Sequence, residues 1–377
     1  MTMTINNEHK KLNVPNLRFP EFQGEWEEYT LQDVVTFSNG KAHENSVNDD
    51  GDYILVNSKF VSTNGQVQKR VTSQLSPLHK SQFVMVMSDL PNGKALAKCF
   101  YVEEDNKYTL NQRVCSFTSN DGNVSRFLMY QINRNKYYLR FDDGINQTNL
   151  KKSEVLSCPV FIPIVREQEK IATLLCKIDE RIATQNKIID KLQSLIKGIR
   201  NDVFGKLRKD IGLNAKVGDV LSYEQPQPYI VEDTEYTAEG TPVLTANKAF
   251  VLGYTSETDG IYDKGDCIIF DDFTLDCKYV DFPFKVKSSA IKILTAKNKE
   301  LLRYTFEFLK YLDLSTDEHK RHYIAETQNQ EFILPTTQIV RTIAHAFSTL
   351  SSRMQTIVKQ RDMLELQKQY LLRQMFI

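Results

Sequence analysis

Two short patterns in the 377-residue sequence place an acidic residue two positions before a lysine: Asp276-Cys277-Lys278 and Glu318-His319-Lys320. Each resembles the acidic-x-Lys half of a metal-dependent nuclease site, which also needs an upstream carboxylate held at the metal; Asp271 or Asp272 could supply it, though tripeptides this short also occur by chance. His319 and His322 stand on a polar stretch with no evident further ligand, so they read as a solvated pair rather than a metal site. Gly93-Lys94 lacks the upstream glycine of a phosphate-binding loop and reads as a turn. The sequence contains neither a Gly-x-Gly-x-x-Gly nor the Asn-Pro-Pro core of an amino-methyltransferase.

A second chemistry is spread over many loops. Asn and Gln side chains can pair with adenine edges through two hydrogen bonds, and Arg or Lys with guanine. In the first part of the chain these types gather at Asn57 and Lys59, at Asn64, at Lys94, at Asn111-Gln112-Arg113 and at Asn146-Gln147. In the second part they gather at Asn247-Lys248, at Lys278-Tyr279 and at Lys320-Arg321-His322-Tyr323. Amides and glycines also simply make turns. The recurrence of such loops in both parts makes these residues candidates for reading DNA bases.

Loops of this kind need a rigid support, and the sequence supplies it twice. After Phe161-Ile162-Pro163, the positions Ile171, Leu175, Ile178, Ile182, Gln185, Ile189, Leu192, Ile196, Ile199 and Val203 advance by alternating fours and threes. This is the heptad spacing of a coiled-coil seam. Displaced by 172 residues, the same frame returns Ile343, Phe347, Leu350, Met354, Ile357, Arg361, Leu364, Lys368, Leu371 and Met375. Between Pro163–Phe204 and Pro335–Phe376, nine positions are identical. Two long matching helices, each closing one half of the chain, imply two copies of a module that pair along a shared seam.

The parts between the helices alternate strand-like runs with polar turns. In the first, strands are predicted at Tyr53–Val56, Phe83–Met87, Leu96–Val102 and Arg113–Phe117, and a helix over Val124–Arg134 with Asn123 as its N-cap. In the second, strands are predicted at Pro242–Thr245, Cys267–Asp271 and Ala290–Leu294, and a helix over Lys299–Leu312 capped by Asn298. The Pro-rich run Pro15–Phe22 suits an extended arm anchored by Trp26, the single tryptophan. The fold class is α+β: two mixed domains alternate with two long helices that pair as an antiparallel coiled coil. The expected boundaries are an arm at 1–28, domains at 29–160 and 208–332, and helical spacers at 161–207 and 333–377.

Bulk properties narrow the function. Net charge is zero, but each long helix carries a net +4 and the domain between them −8. A lone nucleic-acid binder would show a broad basic surface, so a DNA reader of this composition is expected to work through local patches and with a partner. The six cysteines form no Cys-x-x-Cys pair, which suits buried thiols in a reducing cytoplasm. No uninterrupted apolar run is long enough to cross a membrane, and the polar start has no apolar signal-peptide core.

Three sets of residues give the chain a specific resemblance. They are Pro15-x-Leu17-Arg18-Phe19-Pro20-Glu21-Phe22-x-Gly24-Glu25-Trp26, then Gln147-x-Asn149-Leu150, and then Ile162-Pro163 followed by Glu167-Gln168-x-x-Ile171-Ala172 and Ile178-Asp179. On these the chain resembles, over essentially its whole length, the specificity subunits of type I restriction–modification enzymes. The resemblance implies two target-recognition domains, each reading half of a split double-stranded DNA site, with the spacers setting the gap. It implies no catalytic centre in this chain. The partners would be two methyltransferase subunits, which use S-adenosylmethionine to methylate adenine, and motor–nuclease restriction subunits. One departure stands out: the second spacer has Ile339-Val340 where the first has Glu167-Gln168, so the two are not expected to contact their partners equally. Two other readings stay open on the residues alone, a nuclease using Asp271, Asp276 and Lys278, and a coiled-coil scaffold that binds only proteins.

Overall fold

The run Phe83–Val86 forms a strand whose four residues are all buried, so both faces of its sheet are covered. Side chains alternate along a strand, and here the alternation divides two cores. Phe83 and Met85 enter the core shared with the long helices, while Val84 and Val86 enter a second core with Val56, Phe60 and Leu110. The second domain repeats the arrangement at Cys267–Asp271, where Ile268 and Phe270 face the helix-side core and Cys267 and Ile269 the other. These facts come from a computed structural model that describes residues 12–91, 93–246, 250–316 and 320–377, with Glu44 described for its backbone alone.

Each domain is built on the same strand topology. In the first, a four-stranded antiparallel sheet runs in the order Val35–Asn39, Val114–Ser119, Phe83–Val86, Cys99–Tyr101. A three-stranded sheet follows the order Arg70–Val71, Tyr53–Val56, Tyr108–Leu110, with its last pair parallel. In the second, the four strands are Leu221–Glu224, Ile291–Ala296, Cys267–Asp271 and Cys277–Val280, and the three are Val251–Thr255, Thr241–Leu244 and Lys285–Val286, again with the last pair parallel. A two-stranded ladder leads into each long helix: Glu27–Thr30 with Pro159–Ile162, and Ala215–Lys216 with Glu331–Phe332. The repeat visible in the heptads therefore extends through both domains.

The long helices span Val165–Asp210 and Thr337–Met375, and within each compact unit the start of one packs with the end of the other, an antiparallel pairing. Residues group into two compact units, one ending at Ala183 and resuming at Asp362–Ile377, the other Thr184–Arg361. In the first unit Ile171, Leu175 and Ile178, near the start of one helix, share a core with Leu371 and Met375, near the end of the other. In the second unit the order is reversed: Phe204, with Ile196, Ile199 and Val203 beside it, packs with Ile343 and Phe347, and Leu350 lines the same core. Ile189 and Leu364 are buried, while Ile182, Leu192, Met354 and Ile357 are half-buried.

Several local expectations are corrected. The strand expected over Leu96–Val102 is confined to Cys99–Tyr101, because Ala97 takes a left-handed φ of 56° and its carbonyl accepts the Arg134 N–H. The first-domain helix runs Ser125–Ile132 with Val124, not Asn123, at its N-cap. Val124 has no capping side chain of its own; Gln168 instead accepts its N–H through Oε1 at 2.8 Å. In the second domain Glu300 stands at the N-cap of Leu301–Leu312, and Asn298, two residues upstream, accepts the Glu300 N–H. The Pro-rich arm is packed as expected: Trp26 is buried edge-to-face against Phe127 and Phe376, and the Leu17 N–H bonds the carbonyl of Gln374.

Candidate nucleic-acid interface

The loop residues singled out by the sequence fall into three groups. Lys59, Asn64, Lys94, Gln112, Arg113, Asn146 and Gln147 are exposed in the first unit. Asn64 sits at φ 50°, a left-handed conformation that Asn tolerates better than most residues. Asn146 is braced by Asp143, whose carboxylate accepts both its backbone and side-chain N–H groups, and Gln147 donates to Ser88 Oγ at 2.8 Å. In the second unit Lys320 and Arg321 are exposed; Lys320 pairs with Glu326 at 2.9 Å, and the Arg321 guanidinium lies 6.0 Å from the Phe273 ring centre.

A second group is committed to the fold. Asn57 caps the helix Ser58–Ser62 by accepting the Phe60 N–H at 2.9 Å, and Asn111 is half-buried. Half-buried Lys278 pairs with Asp276, and the half-buried Tyr279 hydroxyl donates to Asp266 at 2.6 Å. His322 and Tyr323 are each only 1% exposed, which corrects their assignment as base-reading residues. Tyr323 lies against Tyr223 and Phe270, and burying that ring outweighs any polar role for the segment's last residue. The remaining candidates, Asn247 and Lys248, lie outside the described residues, as does His319.

The carboxylates considered for nuclease chemistry are also otherwise engaged. Asp271 accepts the N–H groups of Phe273 and Thr274 and the Thr274 hydroxyl, which makes it a turn former. Asp276 lies between Lys310 at 2.9 Å and Lys278 at 3.1 Å. Burial pushes the Asp276 carboxyl up, but hydrogen bonds and charge from the two lysines outweigh it and hold its pKa below the usual value.

Three polar groupings seat domains and arm on the long helices. In the first unit the Tyr130 hydroxyl donates to Asp179 at 2.7 Å, and Lys368 meets the other oxygen of Asp179 at 2.6 Å. Burial first, and the Asp179 charge second, push the Tyr130 hydroxyl far above its ordinary pKa. In the second unit Glu307 accepts Arg200 through Nε at 2.9 Å and Nη2 at 2.7 Å, and Arg303 at 2.7 Å; Arg303 also reaches Ser351. The third is the pair Glu167-Gln168. Glu167 receives Arg18 of the arm, while Gln168 donates to the carbonyl of Pro163 and accepts from Val124. Both are fully buried against their own domain, so these side chains are not open to a partner. Their replacement by Ile339-Val340 has a physical reason: Val340 is buried in the apolar core of the second unit. The sequence motif marked Glu167-Gln168 as special without revealing which way they face.

A repeated α+β module, each copy seated on a long helix, is the fold of a solved relative: the S subunit of a type I restriction–modification system from M. genitalium. The two correspond over 97% of this chain and 99% of that one, with a TM-score of 0.63 and 16% identity. Residues 23–194 match the type I restriction modification DNA specificity domain. The Escherichia coli type I restriction enzyme EcoR124I/EcoR124II specificity subunit is 45% identical over 126 residues, 32% of this chain and 31% of that relative's length. That family match covers a little under half of the chain, and the chain spans about a third of the length of the curated relative it matches.

Proposed function

We propose that this chain is the non-catalytic DNA-reading subunit of a type I restriction–modification complex, with each domain recognising one half of a bipartite site. The observation that carries this reading is the shared topology of two domains whose exposed loop residues differ: Lys94, Arg113 and Gln147 in one, Lys320 and Arg321 in the other. A common scaffold with divergent loops suits two readers of different sequences, because specificity resides in base-edge contacts while phosphate contacts only position the protein. In this reading the adenine methylation belongs to two partner subunits that bind S-adenosylmethionine, and cleavage to restriction subunits, all acting in the cytoplasm.

Partner binding is supported by an apolar stripe on the second long helix. Met363, Leu366 and Tyr370 are 69%, 63% and 55% exposed, at a spacing that puts them on one helical face. Three large apolar side chains in water on one stripe suit a docking surface for a methyltransferase subunit. The test is to purify the full chain with its methyltransferase and map methylated adenines genome-wide. Replacing residues 29–160 by the corresponding domain of a relative should change one half-site and leave the other. A change in both, or in neither, overturns the modular reading; a complex that binds partners but methylates without sequence preference favours a protein-binding scaffold.

A further inference from the structure

Within the second domain one carboxylate organises the segment that carries Arg321. Asp272 is 1% exposed, and its Oδ1 accepts the backbone N–H of His322 at 3.1 Å and of Tyr323 at 2.8 Å. Its own carbonyl also accepts the His322 N–H at 3.0 Å. On the other side, Lys292 places Nζ 3.7 Å from Asp272 Oδ2 and donates to Gln225 at 2.8 Å. A buried ion pair is retained at a desolvation cost, so its usefulness lies in the groups it fixes more than in net stability. Here the fixed groups are two backbone amides immediately after an exposed arginine.

The first domain joins the same two places by a different device. There the loop after Phe83–Val86 meets the loop before the long helix through a short ladder, Ser88–Asp89 with Thr148–Asn149. The Leu150 N–H bonds the Met87 carbonyl at 2.8 Å, and Gln147 donates to Ser88. Both domains therefore tie the loop following their central strand to the loop preceding their long helix. The first relies on a backbone ladder, whereas the second has one backbone bond and adds a buried carboxylate.

We propose that Asp272 is a positioning residue for target recognition: it sets the backbone at His322 and Tyr323 so that Arg321 is presented to the second half of the DNA site. This rests on the reading of the chain as a two-domain DNA reader. Asp272 touches no base; it acts through the segment it holds. Removing its carboxylate frees the Tyr323 amide and leaves His322 with the Asp272 backbone carbonyl alone, which loosens the segment and lets the arginine sample more directions; base discrimination relaxes more than overall DNA affinity weakens.

The experiment uses the full chain assembled with its methyltransferase, and duplexes carrying the mapped site or single-base changes in either half. Two double variants remove the buried charges alike. Asp272→Asn with Lys292→Met keeps an amide oxygen for the two N–H groups, and Asp272→Ala with Lys292→Met does not. The alanine version should lose about tenfold in methylation preference at the second half-site, with the first unchanged. The asparagine version should keep most of that preference. Equal preference in the two variants, or equal loss at both half-sites, overturns the assignment. If both variants fail to fold, faster amide hydrogen exchange at 322–323 in Asp272→Asn alone, with half-site preference unchanged, overturns it too. Arg321→Ala separates the two layers: no effect at either half-site would remove this segment from the DNA interface, whereas a second-half-site effect without one from Asp272 would sink the positioning role alone.

Discussion

Arg18 grips Glu167 through two hydrogen bonds of 2.7 Å, although 149 residues separate them. Glu167 is fully buried and Arg18 is 13% exposed, and the same guanidinium bonds the carbonyl oxygens of Gly24 and Gln23. The pair fastens the extended arm to the first turn of the long helix. Breaking a buried pair leaves the remaining charge uncompensated, so Arg18→Ala should cost about 3–5 kcal/mol in the first unit. Combining Arg18→Met with Glu167→Leu should recover much of it. Denaturant midpoints of the three variants measure this, and an unchanged midpoint in Arg18→Ala would show that the arm is held by its apolar contacts alone.

The seam makes a second prediction at Leu175, which is completely buried among Ile171, Ile178 and Leu371. Leu175→Ala should destabilise the first unit by about 2–5 kcal/mol, the usual cost of emptying an aliphatic site. Leu195→Ala, at a position that is 53% exposed on the same helix, should shift stability far less. Thermal unfolding of the two variants compares them directly.

Acid sensitivity provides a third. Asp276 has its pKa lowered by Lys310 and Lys278 against the opposing effect of burial. A carboxylate depressed on folding stabilises the protein above its unfolded pKa of about 3.9, and that contribution is lost as the pH falls through the folded value. Asp276→Asn should therefore show a shallower loss of stability below about pH 4 than the parent, with lower stability near neutrality. Urea unfolding between neutral pH and the acid limit tests it; parallel acid limbs would contradict the assignment.

Recruitment can be separated from folding. Leu366→Glu with Tyr370→Glu should leave the unfolding temperature nearly unchanged, because both side chains are already in water. Co-purification of the methyltransferase subunit should fall at least tenfold if these apolar anchors are central to the docking surface. Undiminished recovery of the partner would move the docking surface elsewhere.

What could be read from sequence depended on whether a signal was local. The heptads and the strand Cys267–Asp271 declared themselves because a helix stripe and a buried apolar run are patterns of neighbouring residues. The topology shared by the two domains did not, since strand order is set by partners tens of residues apart. Asn123 and Asn298 have ordinary capping chemistry, yet the helices start one or two residues later, and at Val124 the capping oxygen arrives from Gln168. His322 and Tyr323 read as polar loop residues because nothing nearby in sequence announces the buried Asp272 waiting for their amides. Inward-facing Glu167 was equally hidden: its partner Arg18 lies in the arm, 149 residues away in sequence.

The alternation in Phe83–Val86 bears on how such a protein can change. Phe83 and Met85 serve the helix-side core, while Val84 and Val86 serve a separate core beneath the three-stranded sheet. The two sets share a backbone but project their side chains into different cores, so substitutions in one change few of the side-chain neighbours of the other. One side of a single strand can thus accumulate changes that reshape the loops above it while the other keeps the packing on the long helices. In the DNA-reading role proposed above, target preference would then change in small steps while the packing on the long helices is kept.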